Sequence, residues 1–325
     1  MSRNFIHLRN DQGIALLLVL WVLMVLMVMA LSFTYLTRTE ALGALSFRQT
    51  VERKFLAEAG IERAVMEILY RRLNQGAKVI QEDREVWRTD GTPYRTETGT
   101  GHYSVRIIDE GGKVDINRTP DVILRNLLHN RGLKQEDADM IVDAIMDWRD
   151  ADDLHRINGA ESDYYMSLPN PYKARNADFE TLEELLLVKG VTAELLYGGA
   201  GTKGLIDLLT INSRTGKVNL NSAPREVLMA VPGMSAEDAD AILANRDAQP
   251  PLNVTALIGK NYTVLAPFVD LADSTAFSIE SSGHRPADKT GYAIRATIAL
   301  EQNGKFRYLY YKSPVTIDNA SDTSN

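Results

Sequence analysis

The chain of 325 residues contains no cysteine. That absence excludes disulfides, thiol nucleophiles and cysteine-ligated zinc or iron–sulfur centres. Histidine is scarce, and His7, His102, His129, His155 and His284 are scattered along the chain. No His-Glu-x-x-His pair, Walker A loop or Gly-x-Ser-x-Gly elbow occurs, so no catalytic residue is assigned and the chain is read as non-enzymatic. Positive charge is in deficit: the formal net charge is −7. Nucleic acid is therefore not expected as a partner, because phosphate recognition needs a basic face. Long apolar runs are absent after residue 37, which leaves a single candidate membrane segment.

That one run dominates what is there. Ile14 to Leu31 reads IALLLVLWVLMVLMVMAL, without a charge or a strong helix breaker, and the charge-free span extends from Gln12 to Thr37. As a helix it covers about 27–36 Å, the thickness of a bilayer's hydrocarbon core. It is longer than the apolar region of a secretory signal peptide, and no small-x-small cleavage site follows it. A polar leader, residues 1–13, carries Arg3 and Arg9 and ends in Gly13. Its charge places the N-terminus in the cytoplasm and the remainder on the far side of a single-pass membrane anchor.

Beyond the run, Val51, Phe55, Ile61, Val65, Ile68 and Leu69 recur at helical steps with acids between them, which predicts one helix from about 14 to about 73. The alternative is a membrane anchor joined to a separate soluble helix, with Gly43 as the place of the break. Asp90-Gly91 suggests a short hairpin within 87–94. Alternating patterns predict strands at 102–109, 277–281, 292–300 and 306–312, with a turn at Gln302-Asn303-Gly304. One isolated strand is unstable, so the early strand is expected to join the late ones in one antiparallel sheet. The expected divisions are a leader at 1–13, a helix at 14–75, sheet segments at 76–112 and 271–325, and an inserted helical domain at 113–270. The insert contains a repeat: Gly112-Lys113-Val114-Asp115-Ile116-Asn117 matches Gly216-Lys217-Val218-Asn219-Leu220-Asn221, and Glu136-Asp137-Ala138-Asp139 matches Glu237-Asp238-Ala239-Asp240. A weaker half-copy opens with the capping box Thr181-Leu182-Glu183-Glu184.

Two constellations in the insert bear on function. Val231-Pro232-Gly233-Met234-Ser235, followed by Ala239 and Ile242, is similar to a helix-hairpin-helix. Ser235 replaces its second glycine, and the next helix opens with Glu237, Asp238 and Asp240, which repel phosphate. The packing-unit reading is favoured, with a membrane-anchored DNA-uptake protein as the alternative. The second constellation is acidic: Asp147, Asp150, Asp152 and Asp153 follow a helix, and Glu161 and Asp163 come next. Carboxylates at a helix C-terminus face the negative end of its dipole and repel one another. A hard cation such as calcium resolves that crowding; a solvated acidic loop is the other reading. The spacing of Asp150, Asp152 and Glu161 partly imitates an EF-hand, but His155 stands where that motif needs glycine and Leu154 at the position before it. Zinc is disfavoured, with one imidazole nearby and no cysteine.

Together the pieces resemble the K-type minor pseudopilins of the type II (general) secretion system, over essentially the whole chain. The resemblance is carried by Gly13-Ile14-Ala15-Leu16-Leu17-Leu18, Ala57-Glu58-Ala59-Gly60-Ile61-Glu62-Arg63-Ala64, Asp115-Ile116-Asn117, Asn219-Leu220-Asn221, Asp147-Trp148-Arg149-Asp150-Ala151-Asp152 and Gly159-Ala160-Glu161-Ser162-Asp163. It implies an α+β pilin-like fold, a long N-terminal helix on an antiparallel sheet with a large all-α insert of helix-hairpin-helix-like repeats. It implies cleavage after Gly13 and N-methylation of Ile14 by a prepilin peptidase. It further implies an inner-membrane anchor, a periplasmic head and a place at the tip of a pseudopilus with other minor pseudopilins above the major one. Calcium is implied in the insert; by motif its ligands are Asp150, Asp152, Glu161 and Asp163, with Asp147 and Asp153 as further candidates. Leu18 stands fifth after the cleavage site, where most pilin-like subunits carry glutamate. A large side chain at position 13 should block processing. Gly13→Leu protein extracted from membranes is expected to keep its unprocessed mass by intact-mass spectrometry; maturation of that variant would rule out the assignment.

Overall fold

The computed structural model describes residues 11–74, 87–199, 202–246, 259–286, 288, 290–301 and 304–316. The chain forms two compact units, residues 1–55 and 56–325. Helix α1 runs from Asp11 to Leu73. The helix is continuous as expected, and the alternative break at Gly43 is absent: flanking Ala41, Leu42, Ala44 and Leu45 are good helix formers. In the first unit Trp21, Met24, Phe33 and Tyr35 stand exposed on α1. The hydroxyls of Thr34 and Thr37 donate to the carbonyls of Ala30 and Phe33 at 2.8 and 2.7 Å, so the end of the apolar run hides its few polar groups within the helix. Among the described residues this is the one helix long and apolar enough to cross a membrane. Most of the leader lies outside the described residues.

In the second unit α1 lies on a five-stranded antiparallel sheet. Its strands are β1 (Asp90–Thr98), β2 (Gly101–Asp109), β3 (Ala276–His284), β4 (Tyr292–Leu300) and β5 (Phe306–Val315), in the order β1-β2-β3-β4-β5. The pairing of β2 with β3, from His102 opposite His284 to Asp109 opposite Phe277, joins the early strands to the late ones. Ala57, Ile61, Ala64, Val65 and Ile68 form the buried stripe of α1, packed with Val105, Ile107, Ile279, Ile294 and Ile298 of the sheet. Full burial of each Ile or Val in that stripe contributes roughly 1.5–3 kcal/mol.

The Asp90-Gly91 signal marks a bulge at the start of β1 and not a hairpin. Asp90 Oδ1 accepts the Thr92 amide and hydroxyl, at 3.2 and 2.6 Å, and the register with β2 shifts between Asp90 and Pro93. The connection that reverses the chain is at Thr98–Gly101. Of the turn expected between β4 and β5, Gln302 and Asn303 lie outside the described residues, and Gly304 has a φ of +77°.

Between β2 and β3 the chain builds the insert, which has its own apolar core around Ile116, Ile123, Leu127, Ile145, Leu185 and Leu228. Among the described residues its α-helices are α2 (Asp121–Asn130), α3 (Gln135–Arg149), α4 (Ser162–Met166), α5 (Ala193–Tyr197), α6 (Arg225–Leu228), α7 (Ala236–Asn245) and α8 (Tyr262–Leu265). The sequence repeat is also a repeat of hydrogen bonds. Val114-Asp115 pairs in parallel with Leu209-Thr210, and Val218-Asn219 with Val269-Asp270. Asp115 and Asn219 each accept the amide two residues on, at 2.9 and 3.0 Å. Asn117 and Asn221 each donate to a distant carbonyl, Phe179 at 3.0 Å and Leu271 at 2.8 Å. At the end of each module an arginine returns to cap the start: Arg149 reaches the carbonyls of Ile116 and Thr119, and Arg246 those of Leu220 and Ala223. Burial pulls the Arg246 guanidinium down to about 10.

Gly60 permits the close approach of α1 to the sheet. A Cβ there would overlap the Ser281 hydroxyl and lie 2.8 Å from Val105 Cγ2. Gly60→Val is therefore expected to lower stability by about 1–3 kcal/mol in urea unfolding, as overpacking does; an unchanged midpoint would contradict this packing.

Candidate metal-binding loop

The acidic residues sit where α3 ends. Ile141, Val142, Ile145 and Trp148 anchor α3 in the insert core. Trp148 meets Tyr165 of α4 edge-on, with ring centroids 5.2 Å apart, so α3 and α4 are fixed relative to each other. The chain between them folds back over α3 and is tied down by buried acids. Asp147, fully buried, accepts the Arg156 amide at 3.2 Å. Asp143 accepts the amide and side chain of Asn158 at 3.2 and 3.1 Å, and its other oxygen pairs with Arg125 at 2.6 Å. Gly159 lies against Asp147 so closely that a Cβ would overlap the carboxylate. Lys189 donates to the carbonyls of Asn158 and Gly159 at 3.2 and 3.0 Å and closes the loop from outside.

Of the six acids singled out from the sequence, this frame brings three together. Asp150, Asp152 and Glu161 offer oxygens that all lie within 4.8 Å of one another. Asp147 lies beneath them as a loop anchor. Asp153 accepts the Asn176 side chain at 3.0 Å. Asp163 pairs with His155 at 2.9 Å and accepts the Tyr164 amide, a bond that holds its carboxyl below the ordinary value.

Glu161 is the critical member. It is 1 % exposed, and neither carboxylate oxygen has a hydrogen-bond partner. Asp150 Oδ1 is likewise buried and unpartnered. Burial, and then the charges of Asp147, Asp150 and Asp153, push the Glu161 carboxyl up to about 7. Burial and Asp152 raise Asp150, and burial raises Asp147. An unsatisfied buried carboxylate is costly, and a cation offsets that cost. The converging atoms are all carboxylate oxygens, which suits a hard ion such as calcium; the nearby imidazole is engaged with Asp163. Sequence reasoning did not single out Asp143, Arg156 or Lys189, whose roles rest on backbone contacts that have no sequence signature.

The helix-hairpin-helix-like segment is a packed corner. Val231 and Met234 are buried, Gly233 turns with a φ of +85°, and Ser235 caps α7 by accepting the Asp238 amide at 3.0 Å. Arg225, on the preceding helix, pairs with Asp240 at 2.6 Å.

Comparison with known proteins agrees with this architecture. Two family models, both described as type II secretion system (T2SS), protein K, match residues 108–197 and 218–279. Type II secretion system protein K of Pseudomonas aeruginosa is 28% identical over 251 residues, covering 72% of this chain and 73% of its own. The protein of the same name from Pectobacterium carotovorum is 30% identical over 202 residues, covering 57% and 60%. Among solved structures, the crystal structure of the GspK-GspI-GspJ complex from the enterotoxigenic Escherichia coli type 2 secretion system contains a chain that matches with a TM-score of 0.55 at 15% identity. That match covers 86% of this chain and 99% of the other, and it supports the fold.

A carboxyl group with a raised folded-state value makes its full contribution to stability below its ordinary value of 4.5 and loses it as pH rises through about 7. In chelator, wild-type protein is therefore expected to lose stability from pH 5 to pH 8 more steeply than Glu161→Gln, which should be the more stable of the two at pH 8. Parallel denaturation curves for the two proteins across that range would contradict the isolation of Glu161.

Proposed function

Because the chain belongs to the type II secretion system protein K family and is a minor pseudopilin, we propose that it caps the tip of a periplasmic pseudopilus and promotes assembly of the filament and export across the outer membrane. The observation that carries this reading is Leu18. In an apolar helix an unpaired glutamate costs at least ~2.5 kcal/mol. A subunit inside a filament offsets that cost by pairing the glutamate with the N-terminal amine of the subunit above. A subunit with nothing above it has no such amine, and an apolar residue is preferred. The insert adds a second argument, because a domain spanning roughly 113–270 would collide with its neighbours if repeated at every helical step.

In this reading, cleavage after Gly13 and methylation of Ile14 by the prepilin peptidase give the mature N-terminus. The positive leader keeps that end cytoplasmic, α1 anchors the chain in the inner membrane, and the second unit lies in the periplasm. The partners are other minor pseudopilins, a reading supported by the GspK-GspI-GspJ complex of the structural relative; in this reading they lie below it, with the major pseudopilin beneath them. The role is structural and not catalytic. The acids Glu237 and Asp238 in the first turn of α7 speak against nucleic acid as a ligand.

Calcium belongs to the same reading. Asp150, Asp152 and Glu161 would hold it, and the unpartnered oxygens of Glu161 and Asp150 support that fit. When bound, the metal supplies the counter-charge that lets these acids ionise together. The protein's own residues do the rest: Asp147, Asp143 and Lys189 hold the loop in place, and the Trp148–Tyr165 contact fixes the helices on either side.

Position-specific cross-linkers at residues 18 to 30 test the placement in assembling cells. Contacts are expected to smaller minor pseudopilins on one side only, at about one copy per filament. Contacts above and below alike, or undiminished secretion after deletion of residues 113–270, would sink the tip assignment.

A further inference from the structure

We propose that Arg156 is a built-in counter-cation of the carboxylate loop, one that a divalent cation displaces from Asp150, and that it sets how tightly the loop takes calcium. The inference rests on the calcium reading above. Arg156 belongs to the loop that carries the acids. Its Nε lies 3.4 Å from Asp147 Oδ1 and its Nη2 lies 3.9 Å from Asp150 Oδ2. Its own amide is already tied to Asp147, so the side chain starts from a fixed point. The other cations around the loop are committed: His155 to Asp163, Arg125 to Asp139 and Asp143, and Lys189 to two backbone carbonyls. Among the described residues, Arg156 forms the one ion pair made to Asp150, Asp152 or Glu161.

The two contacts of the guanidinium differ in kind. Asp147 is fully buried and stays with the loop amides. Asp150 shares its space with Asp152 and Glu161, and at 3.9 Å its link to Arg156 is longer than a charge-assisted hydrogen bond of about 2.7–2.9 Å. Charge holds it there without a formed bond, so the link is easily given up. A doubly charged ion held by Asp150 would face the guanidinium well within the screening length of about 8 Å, and the two would repel. The arginine is half exposed and free to swing outward. Arg156 therefore does two opposed things: it steadies the metal-free loop, and it competes with the ion.

Titration calorimetry of full-length, chelator-stripped protein in detergent with calcium chloride tests this, with Arg156→Gln and Arg156→Lys beside wild type. Arg156→Gln is expected to bind calcium about tenfold more tightly and to melt at a lower temperature in chelator. Arg156→Lys keeps the charge and is expected to stay within about threefold of wild type. Calcium binding by Arg156→Gln alone would equally support the exchange. Equal or weaker binding by Arg156→Gln, with wild type binding normally, overturns the exchange and leaves the calcium reading standing. No binding by any of the three overturns both.

Discussion

Two consecutive buried carboxylates hold the second unit together where the chain leaves the sheet. Asp109 ends β2 with no exposure and accepts the amides of Gly111 and Ser274, the Asn219 side chain and the Ser222 hydroxyl. Glu110, next in the chain, takes Lys113 at 2.8 Å, Ser278 of β3 at 2.7 Å and the Thr210 hydroxyl. One acid therefore holds the second repeat and the returning chain, while the other holds the first repeat and the sheet. Burial raises the Asp109 carboxyl. At Glu110 burial pushes the same way, but the Lys113 charge and its hydrogen bonds outweigh it and leave the carboxyl below its ordinary value. Removing either acid would strand several donors at once, which costs more than one hydrogen bond.

The repeats extend that logic into the insert. Each module begins as an extended segment whose carbonyls have no helix to satisfy them. A distant arginine satisfies them instead, Arg149 in the first module and Arg246 in the second. In the first module the same α3 that delivers Arg149 delivers Asp147 and Asp150, so the scaffold bond and the acidic loop are neighbours on one helix end. The second module also follows its arginine with an acid, Asp247, but has Ala244, Gln249 and Pro250 where the first has Asp147, Asp152 and Asp153. The full acidic set is thus present in one copy of the repeat.

Much of this was legible in the sequence. The α1 pattern, the late strands and the Asp115/Asn219 repeat announce themselves through hydrophobic period and spacing, because each is set by local burial. The Asp90-Gly91 turn misled, since the same residues that make a hairpin also make a bulge, and only pairing with β2 decides between them. Gly43 left the single helix intact, as expected: one glycine among good helix formers costs about 1 kcal/mol, too little to break a long helix. At the loop, motif ranked Asp150, Asp152, Glu161 and Asp163 ahead of Asp147 and Asp153, and the structure gathers only the first three. What separates Glu161 from Asp163, one buried without partners and the other paired with His155, is tertiary enclosure. Lys189 and Arg156 gave no sign, since a lone basic residue is ordinarily solvated.

The pairing of Asp109 with Phe277 means that the chain leaves and rejoins the sheet at adjacent points. Mechanically, the insert is attached in parallel with the pilin body and not in series. A pull transmitted along the α1 stripe into β2 and β3 passes through the sheet's own ladder and bypasses the insert's core. The insert need not bear tension, so its helices are free to be short and its loops long.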